Sequence, residues 1–323
     1  ASPSRRAEDA GDALNSSNPS PNRHRTLNDL VFDPAFWQQH VTLFAGAVLL
    51  LSLIIGSFLN VVILRLPMMM EHAWRRECQE MLESDVTFSN RSGEPVSLMH
   101  PPSTCPKCGH LIRAWENVPV ISYLVLRGRC AQCREPISAR YPVVESLTAV
   151  LSVVVAVRFG ATPVTVAMLI LTWSLVALAI IDIDHQLLPD SITLPLLWLG
   201  LIINSGGLIV PLEQSVWGAI LGYLSLWSVY WGFKLLTGKD GMGYGDFKLL
   251  AAAGAWLGWK ALPVIIILSS FAGAVIGLCL ILIMGRDRNV PIPFGPYLAI
   301  AAWMTAMWGE ELVDTYQMVI TAL

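Results

Sequence analysis

Apolar runs about as long as a bilayer is thick recur along this chain, and they leave few folds open to it. Roughly 20 consecutive apolar residues cross a hydrocarbon core as a helix, and only helices or closed barrels satisfy every backbone group there. Such runs cover residues 43–64, 142–158, 163–183, 191–209, 215–236, 247–259, 262–284 and 292–309. The chain is 54% hydrophobic and only 14% charged, which is too apolar for an ordinary soluble protein. The expected fold is therefore an all-α polytopic membrane protein with about eight transmembrane helices. The 247–259 run is short and rich in Gly and Ala, which suits a buried or broken helix packed closely by its neighbours. The first run is too long for a signal peptide and lacks a small-residue cleavage site.

Composition along the chain divides it further. Residues 1–41 are polar and read as a disordered tail. Residues 42–64 are the first transmembrane helix. Residues 65–140 have weak apolar periodicity, many turn formers and ten Lys or Arg, and read as a small soluble domain between the first and second spans. Residues 141–310 carry the other seven spans, and 311–323 are left as a C-terminal tail. Basic residues accumulate on the cytoplasmic side of membrane proteins. The basic 65–140 region is therefore expected there, with both termini on the opposite side.

Cys105-Pro-Lys-Cys108 and Cys130-Ala-Gln-Cys133 are separated by 21 residues. Two such thiol pairs supply a closed tetrahedral all-sulfur site, so a structural zinc is expected on Cys105, Cys108, Cys130 and Cys133. A reducing cytoplasm keeps these thiols available. His110 follows the second cysteine and is not expected to be a ligand. With little apolar material, the domain is expected to depend on its metal.

Acids at the edge of a spanning segment are costly and point to function. Asp182 ends a helix running towards the cytoplasm, and Asp246, in Gly243-Tyr-Gly-Asp246, begins one that leaves it. Both carboxylates thus fall on one side at similar depth. Two carboxylates in one site cannot both ionise easily and share a proton, which is the chemistry of an aspartic hydrolase. Blander roles remain open for single residues. Asp246 could be a helix N-cap, Asp184 interfacial, Asp190 an N-cap for the next helix, and His185 solvated. Asn60 reads as an interhelical hydrogen-bond donor. Glu145 either bonds to a neighbouring helix or lines a substrate path. Lys234, Lys239 and Lys248 read as topology and headgroup contacts. A proton-coupled transporter is the rival class, but it predicts acids near the midplane and inverted repeats, and no repeat is visible.

Taken together, these residues resemble the type IV prepilin peptidase family over about residues 42–310. The shared motifs include Gly56-Ser-Phe-Leu-Asn60, the four cysteines, Trp115-Glu-Asn-Val-Pro119, Ala139-Arg-Tyr-Pro142, Asp182 with Pro189 seven positions on, Gly241-Met-Gly-Tyr-Gly-Asp246 and Pro291-Ile-Pro-Phe-Gly-Pro296. The resemblance implies a bifunctional inner-membrane enzyme. It would cleave leaders of prepilins and pseudopilins at the cytoplasmic face through Asp182 and Asp246, Asp184 fitting the spacing less well. It would then methylate the new N-terminal amine with S-adenosylmethionine. The cysteine-containing region is associated with methylation in that family. No Gly-rich nucleotide loop supports methylation independently, so a peptidase without methyltransferase activity stays the alternative. Implied partners are substrate, membrane lipid and pilus or type II secretion machinery, with no nucleic acid. The polar tail of residues 1–41 departs from the family pattern.

Overall fold

The computed structural model describes residues 34–82, 97–284 and 293–322. Among these residues the fold is all helical, with no strand and two isolated β-bridges near the cysteines. The expected polar tail lies mostly outside the described residues, and its last part is a short helix, α1 (Pro34–Gln39). There follow α2 (Val41–Leu82), a short α3 (Ile121–Val125), α4 (Arg140–Phe159), α5 (Pro163–His185), α6 (Asp190–Ser205), α7 (Leu212–Thr237), α8 (Tyr244–Leu257), α9 (Leu262–Met284) and α10 (Gly295–Ala322).

Every apolar run anticipated from the sequence is helical, but eight full spans are not what length and composition support. Among the described residues, five helices are long and apolar enough to cross a membrane: the α2, α4, α5, α7 and α9 segments. Helix α6 has 16 residues and contains Pro195, and α8 has 14. Helix α10 runs on to Ala322, through the stretch expected to be a C-terminal tail, with a kink at Trp308 (φ −129°, ψ 27°). On the spanning helices, Leu50, Ile54, Val166, Trp217, Val229 and Phe271 are exposed. Such apolar faces suit a lipid surround.

Helix α2 also overruns its expected end. The first transmembrane helix is expected over residues 42–64, yet the helix continues through Pro67 to Leu82, 42 residues in all. Beyond Pro67 the sequence supplies helix formers and the i,i+4 pairs Glu71–Arg75 and Arg76–Glu80. Each such pair contributes only a few tenths of a kcal/mol, but together with propensity they carry the helix onward.

The core is built around α8. Phe247, Leu249, Leu250, Ala251, Ala252, Ala253, Ala255 and Trp256 are all buried, enclosed by α6, α7 and α10. Trp256 donates its indole N–H to the Leu196 carbonyl at 2.8 Å. A helix ending inside protein must find partners for its last carbonyls. Here Asn204 donates to the carbonyls of Ala255 and Trp256 at 2.9 and 3.1 Å, and Ser215 donates to that of Ala255. A second helix pair, α2 against α4, is tied by Asn60 Nδ2 donating to the Tyr141 carbonyl at 3.1 Å. This is the interhelical bond expected of Asn60.

Helices α7 and α8 touch backbone to backbone. A Cβ on Gly254 would lie 2.1 Å from the Gly218 carbonyl oxygen, and one on Gly218 equally close to that of Gly254. Gly218 and Gly222 form a small-xxx-small face, the sequence signature of close helix approach. Gly254→Val is expected to force the helices apart, at a cost of about 3 kcal/mol or more. A melting curve of detergent-purified protein checks this, with Gly232→Val, where a Cβ meets open space, expected to melt like the parent. An unchanged melting temperature for Gly254→Val would refute the contact.

Candidate active site and metal centre

Asp182 is placed by the way α5 begins and stops. Thr162 caps the start, its hydroxyl accepting the Thr165 N–H, and Pro163 suits the first turn. At the far end Gln186 takes a left-handed conformation (φ 51°) and its N–H caps the Asp182 carbonyl at 2.9 Å. Asp182 therefore lies in the last turn, and it is buried. Asp246 lies in the first turn of α8 and is buried as well. It is not the N-cap residue, which is Gly243; its backbone N–H instead donates to the Gly243 carbonyl at 3.2 Å. The two carboxylates are close enough to interact electrostatically.

A third element completes the arrangement. The backbone N–H of Gly295, at the start of α10, donates to Asp182 Oδ2 at 3.0 Å. A Cβ on Gly295 would come within 2.7 Å of that oxygen, so no side chain fits there without displacement. The N-terminus of a helix favours negative charge, and α10 presents its N-terminus to Asp182. Leu188 packs between Gly245 and Gly295, joining the loop after α5 to both other elements. Gly295 was not among the site residues expected from sequence, although it lies in the Pro-Phe-Gly-Pro motif. Its part is played by the backbone, which leaves no chemical signature in a side chain.

The other acids go elsewhere. Asp184 is exposed and pairs with Arg140 at the start of α4. Asp190 was expected as an N-cap, but the capping position is Pro189 and Asp190 is the first helical residue. Both its oxygens instead accept from Lys248 at 2.7 Å. Lys234 is likewise held by a carboxylate, Asp240, at 2.8 Å. Two of the three lysines expected at headgroups thus have carboxylate partners within the protein. His185 is exposed.

The four cysteine sulfurs come together, all within 4.8 Å of one another. Cys105 and Cys133 Sγ are 3.7 Å apart, and Cys108 and Cys130 Sγ 4.0 Å. A tetrahedral shell with metal–sulfur bonds of ~2.3 Å puts sulfurs ~3.8 Å apart, far longer than a disulfide. The cluster can therefore hold a metal ion. Each pair sits in the same turn. The Cys105 N–H donates to the His110 carbonyl and the Gly109 N–H returns to the Cys105 carbonyl; Cys130, Glu135 and Arg134 repeat the pattern. Both turns need a left-handed residue, Gly109 (φ 69°) in one and Arg134 (φ 58°) in the other. The turn aims amides at the first sulfur, so the N–H groups of Cys108 and Lys107 hold the Cys105 thiol down at about 6. Those of Cys133 and Gln132 lower Cys130 likewise. His110 lies outside the four-cysteine group, its Nε2 facing Glu116 at 3.0 Å.

Residues 50–159 match the bacterial peptidase A24 N-terminal domain, and residues 169–278 the type IV leader peptidase family. A protein of Stutzerimonas stutzeri named prepilin leader peptidase/N-methyltransferase is 55% identical, over 84% of this chain and 93% of its own length. Proteins of the same name from Pseudomonas aeruginosa and Aeromonas salmonicida are 53% and 57% identical, over 86% and 85% of this chain and 94% of each relative. No solved structure matches.

Proposed function

Since the chain belongs to the type IV leader peptidase family, we propose that it cleaves the leaders of type IV prepilins and pseudopilins and N-methylates the new amino terminus. The observation that carries the first activity is the meeting of Asp182 and Asp246, two buried acids from the ends of separate helices. Asp182 and Asp246 are the catalytic pair of this reading. They share one proton. The ionised carboxylate takes a proton from water as the water oxygen adds to the scissile carbonyl carbon, while the protonated one donates to the carbonyl oxygen. Collapse of the adduct breaks the C–N bond and the departing amine takes a proton. The net change is one water consumed and two termini released, with no acyl-enzyme.

The protein is read as a multi-pass protein of the bacterial inner membrane with this site facing the cytoplasm. The positive charge of residues 65–140 supports that orientation. Prepilin and pseudopilin helices would lie in the bilayer and offer their leaders at its surface, with basic loops meeting anionic lipid and the pilus or secretion machinery nearby. Residues 65–140 serve as the methylation domain and 141–310 as the peptidase domain. Cys105, Cys108, Cys130 and Cys133 would hold zinc, which has no open position in such a shell and acts structurally. S-adenosylmethionine supplies an electrophilic methyl group when bound.

Purified protein incubated with a prepilin and methyl-labelled S-adenosylmethionine is expected to give both a shortened product and label on its amino terminus. Cleavage without label would leave a peptidase alone. Neither would reject the reading, and so would favour the transporter alternative, which the placement of both acids at helix ends argues against.

A further inference from the structure

Away from the aspartates, a cavity of about 660 Å³ lies between α2, the start of α4 and the cysteine module. That volume falls within the range of small-molecule sites, roughly 300–1,000 Å³. Cys105 and Cys130 form part of one wall, so the metal cluster braces the chamber. Its charged groups can be accounted for one at a time. Arg65 is committed to the backbone, donating to the carbonyls of Ser97, Leu98 and Pro101. Glu116 faces His110 and accepts the Arg113 N–H. Glu135 pairs with Lys107 at 2.7 Å.

Glu145 is different. It projects from the first turns of α4 and is only 7% exposed. Its Oε2 accepts the Val120 N–H at 2.8 Å. No described ion pair includes it. Val120 adopts a positive φ of 57° while making this contact, a costly conformation for a β-branched residue. A buried carboxylate held only by neutral donors favours a cation brought in from outside. The rings of Tyr123 and Tyr141 also line the chamber, and aromatic faces attract cations.

Resting on the methyltransferase reading above, we propose that this cavity binds the organic cation of methyl transfer, with Glu145 as its counter-charge. That cation is either the sulfonium of S-adenosylmethionine or the ammonium of the freshly cut amino terminus. The two share one chemistry, a compact positive centre on an otherwise apolar body, and both must meet wherever the methyl group is passed. Of the three glutamates that line the chamber, Glu145 is the one that could serve without abandoning a described cationic partner.

The test uses full-length, metal-loaded protein in detergent and reads binding by calorimetry. Four probes are titrated: S-adenosylmethionine, its neutral thioether product S-adenosylhomocysteine, a processed peptide with a free amino terminus, and the N-acetylated copy of that peptide. Glu145→Gln keeps an oxygen for the Val120 N–H but removes the charge. If the sulfonium is the ligand, Glu145→Gln lowers affinity for S-adenosylmethionine by roughly tenfold or more and leaves the thioether unaffected. If the ammonium is the ligand, it erases the preference for the free amine over the acetylated peptide. Val61→Phe, which fills the chamber from α2, is expected to weaken the same probe and covers the case in which Glu145→Gln fails to fold, as judged by zinc content and melting temperature. Unchanged affinities in these variants would overturn the proposal and leave the methyltransferase reading standing. Absence of any S-adenosylmethionine binding to the parent protein would overturn both.

Discussion

Replacing either Asp182 or Asp246 with Asn is expected to abolish leader cleavage, by roughly 10³-fold or more, while the protein stays in the membrane and melts near the parent temperature. Asn matches Asp in shape, so the packing around each side chain survives. Its carbonyl oxygen can still accept the Gly295 N–H at position 182. What is lost is the ability to take or give a proton, and with one partner neutral the shared proton has no second carboxylate to occupy. Asp184→Asn is the informative companion. Asp184 is exposed and bound to Arg140 rather than turned towards Asp246, so cleavage is expected to persist there. Processing of a purified prepilin, followed by the shift to shorter product on a gel, distinguishes the three. Undiminished processing by Asp182→Asn would remove that residue from the site, and loss of processing in Asp184→Asn alone would exchange the two roles.

Replacing Cys105 or Cys133 with Ser is expected to release the metal and loosen the cysteine module. The module has two isolated bridges, one short α-helix, one 3₁₀ turn (Ala114–Asn117) and few buried side chains, so metal binding is expected to supply much of its order. Metal analysis should find zinc in the parent and a large deficit in either variant, and limited proteolysis should open residues 97–140 in the variants first. Zinc absent from the intact protein would defeat the expectation. Acid should act in the same direction. The Cys105 thiol is held at about 6 against an ordinary 9.0, chiefly by the Cys108 amide. A group lowered on folding adds stability that is complete above about 9 and is lost as pH falls through about 6. The Cys133 thiol is pushed the other way, up to about 12, by burial and the neighbouring sulfurs, so the four thiols do not shift together; the expected loss of metal on acidification rests on protons competing with the metal for all four sulfurs.

Some of this was legible before any coordinates. The spacing of the four cysteines names its own partners, because thiolates in pairs have few other uses inside a reducing cell. The placement of Asp182 and Asp246 at helix ends was legible because each borders an apolar run; the parity of crossings between them was not, because α6 is too short to be counted as a span from its length. Gly295 was illegible because a backbone N–H is common to almost every residue; only the Asp182 oxygen above it reveals its use. Asp190 and Lys248 could not be paired from sequence, because each has an adequate local explanation and their contact spans 58 positions. The length of α2 was hidden by Pro67, a residue that ends most helices but here is carried by strong helix formers on either side. Glu145 stayed ambiguous because its chamber is made by three segments whose meeting no periodicity encodes.

Pro67 has a mechanical consequence. At ~1.5 Å per residue, α2 extends for ~63 Å, about twice the hydrocarbon thickness. Pro67 has no N–H to give the carbonyl of Ile63, so the rod is weakest there. Arg65, which grips the loop at Ser97 to Pro101, lies on the near side of that weak joint. Any bending of α2 is therefore expected to concentrate at Pro67, between the bilayer-length segment that carries Asn60 and the polar turns of residues 71–82.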